Sequence, residues 1–210
     1  MPALLQFALI SFTSIFVLVD PFAAIPTFLV MTADSDRTRR RSMAWRAALT
    51  CFIVLAAFGI AGKFIFNLFG ITLPAFKIAG GIILGLIGLD MVQARRSRTK
   101  ETPGDTQESL EREDVGIIPL GIPMLAGPGS ISTVMVLISQ ASAWGHAAVI
   151  FSAIAATAAI SFLVLAAADR VRSFLGETGI RILTRMMGLL LTAIAVQFVL
   201  NGLQDIHAAP

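Results

Sequence analysis

Residues 19–28 read VDPFAAIPTF, an aspartate and two prolines set inside an apolar block that runs from 3 to 31. In a lipid core every backbone N–H and C=O must find an internal partner, so Asp20, Pro21 and Pro26 are costly there unless the chain breaks to make something. The residue types suit a helix start. Asp is a favoured N-cap, and Pro is favoured at the first helical position, where its missing N–H is no loss. The pair Asp20–Pro21 thus predicts a second half-helix opening in mid-span, with Pro26 bending or loosening its first turns.

The rest of the chain places this stretch in a membrane. Hydrophobic residues make up 56% of the 210 and charged residues 14%, with a mean hydropathy of +0.83. Further apolar blocks lie at 44–70, 73–93, 116–140, 144–168 and 181–203. Each is long enough to cross a core of about 30 Å at about 1.5 Å per helical residue. The expectation is an all-α membrane protein, a single domain over 1–210 with six transmembrane helices. The first block has no Lys or Arg before it and no small-residue cleavage site behind it, so it is expected to stay as the first helix.

A net charge of +3 and a pI near 9.8 follow from topology. Apart from Lys63 and Lys77, the basic residues fall in three groups: Arg37 to Arg46, Arg95 to Arg112, and Arg170 to Arg185. These follow spans one, three and five, which makes those loops cytoplasmic and both termini periplasmic by the positive-inside rule. No nucleic-acid partner is needed to explain the charge. Cys51 is the one cysteine, and His146 and His207 are the histidines, outside the spans. The composition therefore offers no disulfide framework, no metal site and no buried imidazole for catalysis, and predicts a protein that is not an enzyme and carries no cofactor.

Residues 95–115 form a polar, mixed-charge cytoplasmic linker between repeat 1 (about 1–94) and repeat 2 (about 116–210). An ungapped offset of 107 lays Pro21 on Pro128, Thr50 on Thr157, Gly81 on Gly188 and Ile87 on Ile194. Each half has three spans, an odd number, so the second enters from the opposite face and the repeats are inverted. Paired interruptions in such halves point to a transporter site near the midplane. The second interruption is GIPMLAGPGSIST, 121–133, where Gly127 can cap and Pro128 can open a helix leading into Ser130, Ser132 and Thr133. Gly129 permits close approach, having no Cβ. Two opposed half-helix N-termini, with partial positive charge, would suit an anionic group. Lower in rank, Gln197 and Asn201 share a face of span six and form a candidate secondary pathway, and Gly81, Gly85 and Gly88 mark close helix packing.

The segments DPFAAIPTFLVMT, FKIAGGIILGLIGLDM, IPLGIPMLAGPGSISTVMVL and MGLLLTAIAVQFVLNGL resemble signature segments of the MarC family of inner-membrane proteins, over essentially the whole chain. The resemblance implies six transmembrane helices with the first and fourth discontinuous, a bacterial inner-membrane location and, for members described as neutral amino acid transporters, movement of glycine- or alanine-like solutes. It places Asp20, Pro21, Phe22, Ala23 and Pro26 on one half-site and Gly127, Pro128, Gly129, Ser130, Ser132 and Thr133 on the other. Ala23 and Ala24 depart from the Gly and the polar residue common there. The expected mechanism is secondary transport of a small zwitterionic solute by rocking one three-helix repeat against the other. The solute carboxylate would meet N–H groups at Gly127–Ser130 and its ammonium would meet Asp20. Membrane lipids surround such a protein, and a coupling proton or cation and a homo-oligomer are compatible with it. An ion channel or exchanger, or an exporter of other small solutes, is the alternative.

Overall fold

The computed structural model describes residues 3–33, 35–93, 120–141 and 143–208, so the linker expected over 95–115 lies outside the described residues. Every element among the described residues is helical: α1 (Ala3–Val19), α2 (Ile25–Met31), α3 (Arg37–Phe69), α4 (Leu73–Val92), a π-helical turn (Leu120–Leu125), α5 (Pro128–Gln140), α6 (Trp144–Ala166) and α7 (Ala168–Ala208). Four stretches are continuous, long and apolar enough to cross a membrane: Arg37–Gly62, Leu73–Val92, Trp144–Ala166 and Thr178–Ile206. The first and fourth apolar blocks are the interrupted ones, divided between α1 and α2 and between the π turn and α5.

Local chemistry sets the ends. Asp36 accepts from the Arg39 N–H at 2.7 Å and so starts α3 two turns ahead of its apolar block, drawing the basic residues into the helix. Gly70, at φ 62°, closes the other end in the left-handed conformation. The segment 168–180, expected as a loop, is instead helical up to Gly176, whose φ of 64° and ψ of 174° break α7. This first part of α7 carries Arg170 and Arg172 beside Phe174, which is 90% exposed, an amphipathic composition suited to a membrane surface.

Two cores form. The larger joins α1, α2, α3, the π turn, α5, α6 and the start of α7 through residues such as Ile15, Phe28, Leu55, Leu125, Val134 and Ile154. The smaller links Leu18 to Leu84, Ile87 and Met91 of α4 and to Leu191 and Ala195 of α7. The α4–α7 pair is the most extensive in the molecule, because glycines bring its backbones together. A Cβ on Gly81 would stand 2.8 Å from the Ala195 carbonyl oxygen, and one on Gly188 would stand 2.9 Å from that of Gly88. Association in lipid depends on such close packing, since lipid tails are as apolar as the side chains.

Packing between the halves dominates. Among the described residues α1 packs mainly on α6, and α3 mainly on α5, the π turn and α6, while helices of the first half scarcely touch one another. By packing, the described residues divide into the α1–α2–α3–α5–α6 bundle, which the start of α7 joins, and the pair that α4 forms with the rest of α7.

Two side-chain clasps join helices far apart in sequence. Lys77, almost fully buried on α4, meets Asp205 of α7 at 2.7 Å. Arg40 donates to the carbonyls of Thr32 at 2.8 Å and Ala33 at 3.1 Å, just past the end of α2, and holds both oxygens of Asp169 on α7 at 3.1 and 2.9 Å. The Asp169 side chain is 70% exposed, so the carbonyl bonds carry more weight than the ion pair. We predict that Arg40→Ala lowers stability by about 1–3 kcal/mol while Asp169→Ala costs under about 1 kcal/mol, read from thermal unfolding in detergent. Gly88→Leu should be worse, costing at least about 1–3 kcal/mol by overpacking and reducing the yield of folded monomer in size-exclusion chromatography.

Candidate functional site at the paired helix breaks

Asp20 ends one helix instead of starting the next. Its N–H closes α1 on the Phe16 carbonyl at 3.0 Å, and its own φ is 45°, a left-handed value unusual outside glycine and tolerated best by Asn and Asp. The side-chain Oδ1 then accepts from the Ala23 N–H at 3.3 Å, capping the turn 21–24. Only after that turn does α2 begin, at Ile25, with Pro26 in its first turn. The half-helix expected to open at Pro21 thus opens four residues later, and Pro26 takes the permissive first-turn role given to Pro21, with no bend.

The second break follows its expected form. Gly127 is extended at φ −81° and ψ 170° as the N-cap, and Pro128 opens α5. Ser130 Oγ shares its hydroxyl proton between the carbonyls of Leu125 at 3.1 Å and Gly127 at 3.0 Å, the second of which also accepts the Ile131 N–H at 3.0 Å. The first N–H groups of α5 have no carbonyl upstream in their own helix and point into the break.

The fold brings the two breaks together. Leu18, two residues before Asp20, lies 3.9 Å from the place where a Gly129 Cβ would be, and the Leu84 side chain of α4 stands directly over that glycine. Asp20 is 5% exposed, and Ser130, Ser132 and Thr133 are buried with it. Pro21, Gly127 and Gly129 are buried, whereas Phe22, Ala23 and Pro128 are half-buried. Phe22 packs edge-on against Phe16. Pro26 is exposed, so the structure does not gather it into the break. Gln197 is also exposed, and its Nε2 donates to Asn201 at 2.7 Å, which occupies these two side chains with each other on α7.

Two hydroxyls and one apolar side chain belong beside this set. The Oγ of Ser11 and the Oγ1 atoms of Thr133 and Thr157 are buried without a hydrogen-bond partner, on three mutually packed helices. Buried polar groups normally find partners, so three unmet hydroxyls in one apolar bundle mark a polar interior. Leu84 of α4 covers the α5 N-terminus at Gly129. Nothing in the sequence distinguishes Ser11 or Thr157 from hydroxyls that bond back along their helix, as Ser161 does to the Thr157 carbonyl at 2.8 Å.

Comparison with known proteins agrees with this architecture. The profile of the MarC family integral membrane proteins matches residues 5–207. The chain belongs to the MarC family. Its relatives include UPF0056 membrane protein MJ1677 of Methanocaldococcus jannaschii, 42% identical over 200 residues covering 95% of this chain and 97% of that one. The Bacillus subtilis UPF0056 membrane protein YvbG is 37% identical over 194 residues, 92% of each chain. UPF0056 membrane protein YhcE of Escherichia coli is 33% identical over 195 residues, 93% of this chain and 91% of that one. No solved structure matches. This MarC-family chain is an integral, multi-pass membrane protein with a buried aspartate at the first of its two helix breaks.

The backbone at Asp20 separates its structural role from its charge. Asp20→Asn keeps an acceptor and tolerates the left-handed φ, so it should fold with an unchanged melting temperature. Asp20→Ala loses the cap and pays for that φ, and should lose about 1–2 kcal/mol in thermal unfolding followed by circular dichroism.

Proposed function

We propose that this protein is a secondary transporter of small neutral amino acids across the bacterial inner membrane. In this reading six spans form two inverted repeats, the basic loops are cytoplasmic and the termini periplasmic. The observation that carries the proposal is a buried carboxylate, Asp20, at the end of α1, whose neighbour Leu18 packs at Gly129 in the first turn of α5. A zwitterion has complementary ends: its ammonium suits Asp20, and its carboxylate suits the first N–H groups of α5. The half-buried Ala23, the buried Ala24 and Gly129 leave room for a small side chain only.

The inverted repeat is supported by the pattern of close contacts. Under the offset of 107, Gly81 corresponds to Gly188 and Gly88 to Ala195. The contact of Gly81 with Ala195 and that of Gly88 with Gly188 therefore exchange with each other, as a twofold relation requires. The interleaved packing of spans one with five and two with four has the same reciprocity.

Access then depends on α4. Leu84 covers Gly129, and α4 is joined to α7 through backbone contacts, so the natural moving element is the α4–α7 pair sliding against the remaining bundle. No catalytic step is involved and no cofactor is required. A proton on Asp20 is a reasonable coupling ion, and self-association is compatible with this mechanism.

Flux of radiolabelled glycine and alanine into proteoliposomes tests the proposal. Wild type should show saturable uptake, and Asp20→Asn, though folded, should lose at least about tenfold, the scale of a charge-assisted hydrogen bond. Gly129→Ala should also lose uptake, and its methyl, which overlaps the buried Leu84 side chain, should lower the melting temperature through a modest overpacking that costs about 1–3 kcal/mol. Unchanged saturable flux in Asp20→Asn, or amino-acid-independent ion conductance in wild type, would overturn the proposal.

A further inference from the structure

Away from the helix breaks, an open groove of about 470 Å³ lies between the basic start of α3 and the end of α6, lined by Thr38, Arg41, Ser42, Trp45 and Phe162. The first four residues recur at three-to-four spacing, so they form one face of α3. Phe162 comes one turn before the end of α6. Its ring meets Trp45 edge-on at 5.6 Å and 89°, and the Arg41 guanidinium carbon lies 6.0 Å from its centroid.

The charge in this groove is positive and its nearby carboxylates are engaged. Asp169 is held by Arg40, and Asp36 caps α3 through the Arg39 N–H. Arg41 makes no ion pair with another described residue. Its contact is the face of Phe162, which keeps the guanidinium N–H groups available at the ring's edge. Thr38 and Ser42 hydroxyls flank it, and the Trp45 indole adds an N–H donor. A cation, three further donors and no acid among the lining residues describe a site for a phosphate group.

Depth decides which phosphate. Trp45 is 55% exposed and marks the level where tryptophan favours the membrane interface. Leu49 and Ile53, 40% and 55% exposed, continue its stripe toward the bilayer centre at four-residue spacing. The groove thus has a polar end at headgroup level and an apolar track leading away from it. Choline or ethanolamine would find no carboxylate here, and the aromatic face that could hold an ammonium is already covered by Arg41. We infer that this groove is a binding site for an anionic phospholipid, with the phosphate on Arg41, Thr38 and Ser42 and an acyl chain along Trp45, Leu49 and Ile53.

Trp45 supplies the probe, since the chain's other tryptophan is Trp144. In a Trp144→Phe background reconstituted into phosphatidylcholine nanodiscs, Trp45 fluorescence is quenched with a small mole fraction of dibrominated phosphatidylglycerol or of dibrominated phosphatidylcholine. Quenching by the anionic lipid should correspond to an enrichment of about fivefold near Trp45, the effect of ~1 kcal/mol from one interfacial arginine. Arg41→Gln should abolish that excess, Arg41→Lys should restore most of it, and Arg39→Gln, which removes an equal charge outside the groove, should leave it. Equal quenching by both lipids, or an excess that survives Arg41→Gln, would overturn the assignment. A response of Trp45 to inorganic phosphate in lipid-free detergent would overturn it also, pointing to a soluble anion. Should Arg41→Gln fail to fold, native mass spectrometry of wild type still decides. Retained phosphatidylglycerol in preference to phosphatidylcholine supports the site, and no preference rejects it.

Discussion

Hydrocarbon offers no partner to an exposed amide, and the two interruptions in this protein are shaped by that constraint. Each break answers its backbone groups locally. At the first, the Asp20 carboxylate takes the Ala23 N–H. At the second, Ser130 returns its hydroxyl to the Leu125 and Gly127 carbonyls. The breaks then lie against each other in the bundle interior, with the buried Leu18 and Leu84 beside them, where lipid cannot reach. Their polarity is tolerable because it is concentrated and enclosed.

Glycine solves a different problem on the other side of the molecule. Between α4 and α7, the absence of Cβ atoms at positions 81, 88, 188 and 202 lets the two backbones touch over their length. The result is a stiff two-helix unit with a small core of its own, set beside a larger bundle whose side chains fill space in the ordinary way. The interface between these units passes through Gly129 and Leu84, which is where the break in α5 emerges.

Much of this was legible in the sequence. Apolar blocks marked the four long spanning helices, and Pro128 after Gly127 marked a helix start that the structure keeps, whereas the basic groups at 37–46 and 170–185, expected in loops, lie within α3 and α7. Asp20–Pro21 misled because an aspartate oxygen can cap either a helix or a turn. The left-handed φ of Asp20, which no residue pattern displays, selects the turn and moves the helix start to Ile25. Likewise Gly81 and Gly88 announced close packing without naming the partner, since apolar faces carry little pairing information. Ser11 and Thr157 were silent for the opposite reason: a hydroxyl in an apolar helix usually bonds to its own backbone, and only packing shows that these do not.

The interleaving of the halves also bears on how the chain is assembled. α4 leaves the ribosome long before α7, with its glycine-lined backbone face intended for a helix that does not yet exist. Until α7 arrives, that face must be borne by lipid or by an insertion factor, and α1 likewise waits for α6. Neither half can mature alone, so the final helix to be synthesised completes the first half as much as its own.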